Sequence, residues 1–209
     1  MKTSNLFFGS IVIVVLLIII YSFSGEQATQ AYEEEIKEYR EDKNRLFAEG
    51  DASPLDRKQK KSFNSLDYYP VNPAYRIIAD FEKFPIEHGI EINTSKDIPR
   101  VFKKHGIARF QLNNNMHELL ILKSTDRLTS KVLFVPFVDE TSGRETYGAG
   151  RYLDAEMSNN NKIILDFNTA YNPYCAYNST YECPLPPKEN YVAVKIEAGE
   201  KNFVSQTSN

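Results

Sequence analysis

The sequence predicts a mainly β, or α+β, protein in which an antiparallel β-sandwich or barrel follows an N-terminal transmembrane helix and one amphipathic helix. From residue 75 onward, short segments of β-branched and aromatic residues alternate with turn-forming residues. An uncharged apolar segment and then a charge-rich segment with helical spacing precede them. The chain of 209 residues is long enough for one domain with a sizeable core.

The first element is an apolar segment close to the N-terminus. Residues 6–23 contain no charge, and residues 11–20 are all Ile, Val or Leu. We expect a transmembrane helix or signal-anchor here, with residues 1–5 as a cytoplasmic stub, because Lys2 precedes the segment and three glutamates follow it. The predicted localisation is the cell membrane, with the membrane as a partner, a single pass and an extracytoplasmic C-terminal domain. The alternative is a secreted or periplasmic protein whose leader is cleaved near Ser22 and Ser24.

The second element is a charged linker with an amphipathic helix, predicted over residues 24–61. Apolar and aromatic residues fall on one helical face, and Gly50 and Pro54 end the helix. We expect this face to pack on the domain, and the alternative is a coil that binds a partner. The face consists of Tyr32, Ile36, Tyr39, Leu46 and Phe47.

Residues 62–203 are predicted to form the β-rich domain, and residues 204–209 a polar tail. Three asparagines at 113–115 separate two strands in the manner of a tight hairpin. Short strands at this spacing favour an antiparallel sandwich or barrel. The predicted strands are residues 75–81, 87–92, 107–112, 118–122, 132–138, 162–167 and 191–196.

Charge and motifs exclude several classes of function. The net charge is −3 and no basic run with interleaved aromatics occurs, which argues against nucleic-acid binding. Gly148 and Gly150 lack the third glycine of a dinucleotide fingerprint, and no phosphate-loop motif is present. The three histidines are scattered, without the spacing of a zinc protease. We therefore expect no cofactor and no metal site.

Both cysteines, Cys175 and Cys183, lie in a long segment without periodicity at residues 166–190. A disulfide between them would close a nine-residue loop, which an oxidising compartment would favour. Three alternatives stay open: a thiolate nucleophile assisted by a base such as His105, a two-cysteine metal site, and two free structural thiols.

The other dense polar block spans residues 139–154, DETSGRETYGAGRYLD. Arg144 and Arg151 supply planar donors suited to a carboxylate or phosphate. The alternative is a β-turn in which both arginines pair with acidic residues of the same block, such as Asp139 or Asp154.

These polar blocks together resemble a known family. TSGRETYGAGRYLD, LDFNTAYNPYCAYN, CPLPPKEN and AGEK, with RLFAEGDASPL and LDYYPVNPAYR further upstream, are similar to the bacterial and archaeal family catalogued as a domain of unknown function, DUF 1684. The resemblance extends from about Tyr32 to Lys201, and it implies no assigned activity and no catalytic residues. It does imply one shared family pattern around Arg151, Asn168, Asn172, Cys175, Glu189 and Asn190.

The leading functional hypothesis is a membrane-tethered, extracytoplasmic β-rich domain that binds a small polar or anionic ligand. One alternative is a cysteine-dependent enzyme with Cys175 as nucleophile and Glu189 assisting. Another is a structural or envelope-interaction protein. We expect Arg151, Asn172, Cys175 and Glu189 to converge in one cavity. The predicted ligand-binding residues are Arg144, Arg151, Asn168, Asn172, Tyr174, Tyr177 and Asn190.

Overall fold

The computed structural model describes residues 3–204, with side chains from residue 25 onward. Two helices, α1 and α2, precede the strands and span Thr3–Glu49 and Arg57–Ser62. Short 3₁₀ turns lie at Pro73–Tyr75, Phe167–Thr169, Tyr174–Ala176 and Lys188–Asn190. The strands are β1 (Arg76–Lys83), β2 (Gly89–Ile92), β3 (Arg100–Leu112), β4 (Asn115–Ser124), β5 (Leu133–Asp139), β6 (Arg151–Met157), β7 (Lys162–Asp166) and β8 (Tyr191–Val192).

Six of the strands form a closed antiparallel barrel. The order around it is β1, β7, β6, β5, β4, β3, and the pairing of β1 with β3 closes the ring. Strand β2 extends the sheet beyond β3, and β8 pairs in parallel with β5. The prediction of a mainly β, antiparallel architecture is therefore confirmed, and the barrel is the alternative that the chain adopts.

The hairpin between β3 and β4 turns at Asn113 and Asn114. Both have positive φ, 50° and 61°, a left-handed conformation that asparagine tolerates better than most residues. Leu112 pairs with Asn115, so the loop has two residues. The hairpin predicted from the three asparagines is present.

Strand β6 lies inside the segment that the sequence analysis treated as a polar block. Its first three residues and Ala155 are buried, so the strand lacks the alternation of a half-exposed strand. Arg151 is buried within the protein, and Tyr152 forms an isolated bridge with Tyr171 in the loop after β7. A strand that is buried on both faces shows no alternation of apolar and polar residues. Strand β6 is therefore absent from the strands predicted from the sequence.

The N-terminal helix requires a correction. Among the residues that the structure describes, no helix has the length and apolar character needed to cross a membrane. This finding overturns the predicted membrane attachment through the N-terminal helix and the extracytoplasmic localisation derived from it. The predicted stub and apolar segment, residues 1–23, and the tail from 205 fall outside the range of described side chains.

The charged half of α1 packs against one end of the barrel. Tyr32, Ile36 and Phe47 are buried there, as the amphipathic pattern predicts. The helix ends at Glu49, where the Gly50 N–H donates to the Leu46 carbonyl at 2.9 Å. Tyr39 and Leu46 belong to the same face, yet they keep 38% and 40% of their surface exposed. That partial exposure marks a groove between α1 and the barrel.

Candidate functional site

Arg151 is fully buried and holds the C-terminal segment against the barrel. Its Nη2 donates to the Ile196 carbonyl at 2.9 Å and to Asp139 Oδ1 at 3.3 Å. Its Nη1 donates to the carbonyls of Ala198 and Glu200. Burial lowers the pKa of the guanidinium, and Asp139 opposes that effect. Both Nη groups therefore bond within the protein, which leaves Arg151 poorly placed to receive a ligand.

Gly199 allows the C-terminal segment to approach the barrel this closely. Its φ of 75° lies in the left-handed region, and a Cβ there would stand 2.6 Å from the Ala170 carbonyl oxygen. The neighbouring Glu200 N–H donates to that same carbonyl at 2.9 Å. Close packing against Ala170 therefore explains why a glycine occupies this position of the AGEK block.

Glu200 is 1% exposed and binds polar groups from α1 and from the loop after β7. Lys43 of α1 lies 2.5 Å from Oε1, the Asn172 N–H donates to Oε2 at 2.7 Å, and the Tyr177 hydroxyl also donates to Oε2. Burial, together with the nearby Glu200 charge, raises the pKa of Tyr177 well above its usual range. Asn172 and Tyr177 were predicted to bind a ligand, but both donate hydrogen bonds to the buried carboxylate of Glu200.

Asn168 and Asn190 are both buried and both replace missing backbone partners. Asn168 Nδ2 donates to the Tyr32 hydroxyl and to the Asn72 carbonyl, each at 2.9 Å, which ties α1 to the loop after β7. Asn190 Oδ1 accepts from the Leu120 N–H at 2.7 Å, and its Nδ2 donates to the carbonyls of Leu120 and Pro136. Pro136 has no N–H, so Asn190 bridges β4 and β5 where the strands cannot pair directly.

Cys175 and Cys183 form a disulfide, one of the alternatives that the sequence left open. Ser95 anchors the closed loop, because the Cys183 N–H donates to Ser95 Oγ at 3.2 Å and the Ser95 N–H donates to the Cys183 carbonyl at 2.9 Å. No free cysteine occurs among the described residues. Tyr174 stands beside this loop with its ring edge-on to Tyr181, at 5.2 Å between centroids.

The remaining two predicted residues lie on the surface. Arg144 is exposed in the turn after β5, and its carbonyl accepts from Asn202 Nδ2 at 2.9 Å. Glu189 is exposed and lies 4.0 Å from Lys104. Arg151 and Asn172 share one partner, because both bond to Glu200. Cys175 bonds to Cys183, and Glu189 lies near Lys104, so neither contacts Glu200. The structure thus gives the predicted residues separate structural settings, and it does not gather them around one cavity.

A groove between α1 and the barrel provides a better candidate site. Its first part, the acidic lobe, has a volume of about 250 Å³. Its second part, the aromatic lobe, has a volume of about 340 Å³ and shares Tyr39, Asp154 and Tyr171 with the first. The acidic lobe is lined by Glu35, Ile36, Tyr39, Arg76, Asp154, Glu156, Ile164, Asp166, Thr169 and Tyr171, and the aromatic lobe by Tyr39, Asp42, Lys43, Leu46, Phe47, Asp154, Tyr171 and Tyr174.

Asp154 is the central charge of the groove. It projects from β6 and is open to the groove, but the surrounding walls desolvate its carboxylate and raise its pKa above the usual value. The Tyr171 hydroxyl donates to Oδ1 at 3.1 Å. In the described part of the chain, no Lys or Arg lies within ion-pair distance of this carboxylate. Asp154 therefore keeps its negative charge uncompensated by a direct partner.

Arg76 closes the far end of the acidic lobe. Its Nη1 lies 4.0 Å from Glu35, and its Nε lies 3.8 Å from Asp166. Asp166 also accepts from the Tyr32 hydroxyl at 2.8 Å. With Asp154 and Glu156, the acidic lobe holds four carboxylates against one guanidinium. Its electrostatic character favours a positive guest.

The aromatic lobe already contains one contact between a cation and an aromatic ring. The Lys43 ammonium lies 4.7 Å from the centroid of the Tyr171 ring, within the range of a cation–π contact. Burial raises the pKa of both Tyr39 and Tyr171, so both rings remain neutral phenols in the physiological range. In the described residues, no group of three or more His, Cys, Asp or Glu side chains is placed to hold a metal ion.

The groove has no direct signal in the sequence. The sequence offers Asp154 only as an alternative partner for an arginine of its own block, and it predicts that Tyr39 packs on the domain as part of the α1 face. One indirect signal is present in α1. Charged residues flank Tyr39 and Leu46, so the apolar face of the helix is interrupted at these two positions.

Comparisons with known proteins agree with the fold. The solution NMR structure of an uncharacterized protein from Haloarcula marismortui is 32% identical, with a TM-score of 0.65, and the match covers 84% of this chain and 96% of that one. No curated protein matches the chain. A family model described as "Protein of unknown function (DUF1684)" matches residues 61–201, which include Asp154, Tyr171 and the disulfide. The chain therefore belongs to the DUF1684 family, whose function is unknown.

Proposed function

We propose that this protein is a binding module for a small organic cation, held in the groove with Asp154 as counter-ion. The observation that carries the proposal is an unpaired, partly desolvated carboxylate flanked by two neutral aromatic rings, Tyr39 and Tyr171. Carboxylates combined with aromatic faces are the usual means by which proteins bind ammonium groups.

The electrostatic setting supports a cation over an anion. A charge interacts more strongly with a guest where protein walls lower the effective dielectric constant, and Asp154 lies in such a place. The sequence-based expectation of an anionic ligand rested on Arg144 and Arg151. Arg151 is engaged with the C-terminal segment and Arg144 lies outside the groove, so neither supports that expectation.

The other two hypotheses gain less support. A cysteine nucleophile requires a free thiolate, and both sulfurs are joined in a disulfide. A purely architectural protein has no need for an open groove with an unpaired carboxylate. The barrel side of the groove lies within the family match, which begins at residue 61, whereas the α1 side lies before it.

Tetramethylammonium is a suitable probe because its charge does not depend on pH. We expect NMR or calorimetric titration to show saturable binding with millimolar affinity, and Asp154→Asn to weaken it at least tenfold. Asp51→Asn, which removes an exposed carboxylate outside the groove, provides the matched control and is expected to leave binding unchanged. Absence of saturable binding, or equal binding by Asp154→Asn and the parent protein, overturns the proposal.

The pH dependence gives a second test of the same assignment. Asp154 has a raised pKa, so it becomes protonated at a higher pH than an ordinary aspartate as the solution is acidified. Binding is therefore expected to weaken as the pH falls through that raised pKa, and Asp154→Asn should bind weakly at every pH. A pH profile that the substitution leaves unaltered would contradict the role of Asp154.

A further inference from the structure

We infer that the ligand is an elongated, amphiphilic cation whose charged head lies in the acidic lobe and whose apolar tail follows α1 through the aromatic lobe. This inference rests on the proposed function and specifies the class of ligand. Its basis is the continuity of the two lobes, which share Tyr39, Asp154 and Tyr171. A cation bound beside Asp154 therefore lies at the entrance of the second lobe.

Apart from Asp154, the charged groups of the aromatic lobe are paired with residues outside its lining. Lys43 pairs with Glu200 at 2.5 Å, so the charge of its ammonium beside the Tyr171 ring is compensated, and its aliphatic stem adds apolar surface to the lobe. Asp42 forms an ion pair with Arg45. The remaining lining consists of aromatic and aliphatic side chains, which favour a tail without charge.

The surface of the aromatic lobe is open to a guest. Leu46 is 40% exposed and Tyr39 38% exposed, although both belong to the face of α1 that packs on the barrel. No described segment of the chain covers them. An apolar tail lying there removes that surface from water, which is favourable by the hydrophobic effect.

The helix sets the length of the tail. Tyr39, Lys43 and Leu46 line the lobe at spacings of four and three residues, so they follow one face of α1. Seven residues at about 1.5 Å per residue extend about 10 Å along the helix axis. The ligand class is therefore a primary or quaternary ammonium ion with a linear apolar tail about 10 Å long.

A homologous series of alkylammonium ions, from ethyl to heptyl, tests the inference by calorimetry. Burial of each added methylene is expected to tighten binding about fourfold until the lobe is filled. Leu46→Ser should flatten this dependence on chain length. Leu128→Ser alters a residue that is 91% exposed and lies outside the groove, so it serves as the control for a surface leucine.

The outcomes separate this inference from the proposed function. Equal affinity along the series, or a chain-length dependence that persists in Leu46→Ser, overturns the tail site and leaves cation binding intact. Failure of every ammonium ion to bind overturns both. Heptanol that binds as tightly as heptylammonium overturns the cation proposal and retains the apolar lobe, and Asp154→Asn is then expected to have no effect on either probe.

Discussion

Lys43 of α1 and Glu200 of the C-terminal segment form an ion pair at 2.5 Å, with side-chain exposures of only 13% and 1%. The same carboxylate accepts from the Tyr177 hydroxyl and the Asn172 N–H. The pair joins α1 to the segment that follows β8, and it holds the α1 wall of the groove against the barrel.

Removing one partner of this pair is expected to be costly. Lys43→Met leaves Glu200 buried without a counter-ion, and we expect a loss of about 3 to 5 kcal/mol in the free energy of unfolding. Adding Glu200→Gln should recover part of that loss, because the uncompensated charge is then absent. Urea unfolding of the two single variants and the double variant measures the coupling.

The matched control for this prediction is an exposed pair on the same helix. Lys37 and Glu34 lie 3.2 Å apart with exposures of 60% and 72%, so Lys37→Met should have little effect on the free energy of unfolding. If Lys43→Met proves no more destabilising than Lys37→Met, the Glu200 pair does not hold α1 to the barrel.

Asn190 offers a second test, since it replaces strand pairing between β4 and β5. Asn190→Ala leaves the Leu120 N–H and two carbonyls without their partner in a buried site, so we expect a loss of about 3 kcal/mol or more. Asn202→Ala removes one exposed hydrogen bond to the Arg144 carbonyl and should cost about 1 kcal/mol or less. Equal midpoints of urea unfolding for the two variants would show that Asn190 does not bridge the strands.

The disulfide is expected to stabilise the fold and to take no part in binding. It closes a loop between residues eight positions apart, and loop-closure entropy gives about 2 to 3 kcal/mol for such a loop. Cys175→Ser with Cys183→Ser should lower the unfolding free energy by about that amount while leaving tetramethylammonium affinity unchanged. Rapid alkylation of the native, unreduced protein would be incompatible with the disulfide.

His105 makes stability depend on pH. Burial lowers its pKa below the usual 6.5, although the hydrogen bond to Glu87 opposes this effect and the Lys123 and Lys83 charges reinforce it. The unfolded chain therefore binds a proton more readily than the folded protein, so stability falls as the pH drops from 6.5 toward the lower folded pKa. His105→Gln should remove this slope between pH 7 and 5 in thermal unfolding, and a slope identical to that of the parent protein would exclude His105 as its source.

The sequence was sufficient for those features that depend on local pattern. The turn at Asn113 and Asn114, the end of the helix at Gly50 and most strands follow from conformational preference and spacing. It was insufficient for β6, because Arg151 and Tyr152 are buried by partners that are distant in the chain. Polar residues such as Asn168, Asn172 and Asn190 looked like a ligand site for the same reason, since a buried structural amide and a binding amide have the same sequence signature.

The pair of Lys43 and Glu200 also constrains the order of events during protein synthesis. Translation proceeds from the N-terminus, so α1 leaves the ribosome long before its counter-ion does. Until Glu200 and the C-terminal carbonyls that accept from Arg151 are available, the Ile36 and Phe47 face of the helix has no completed surface on which to pack. A nascent chain of this protein is therefore expected to need protection of that face until Glu200 has been added.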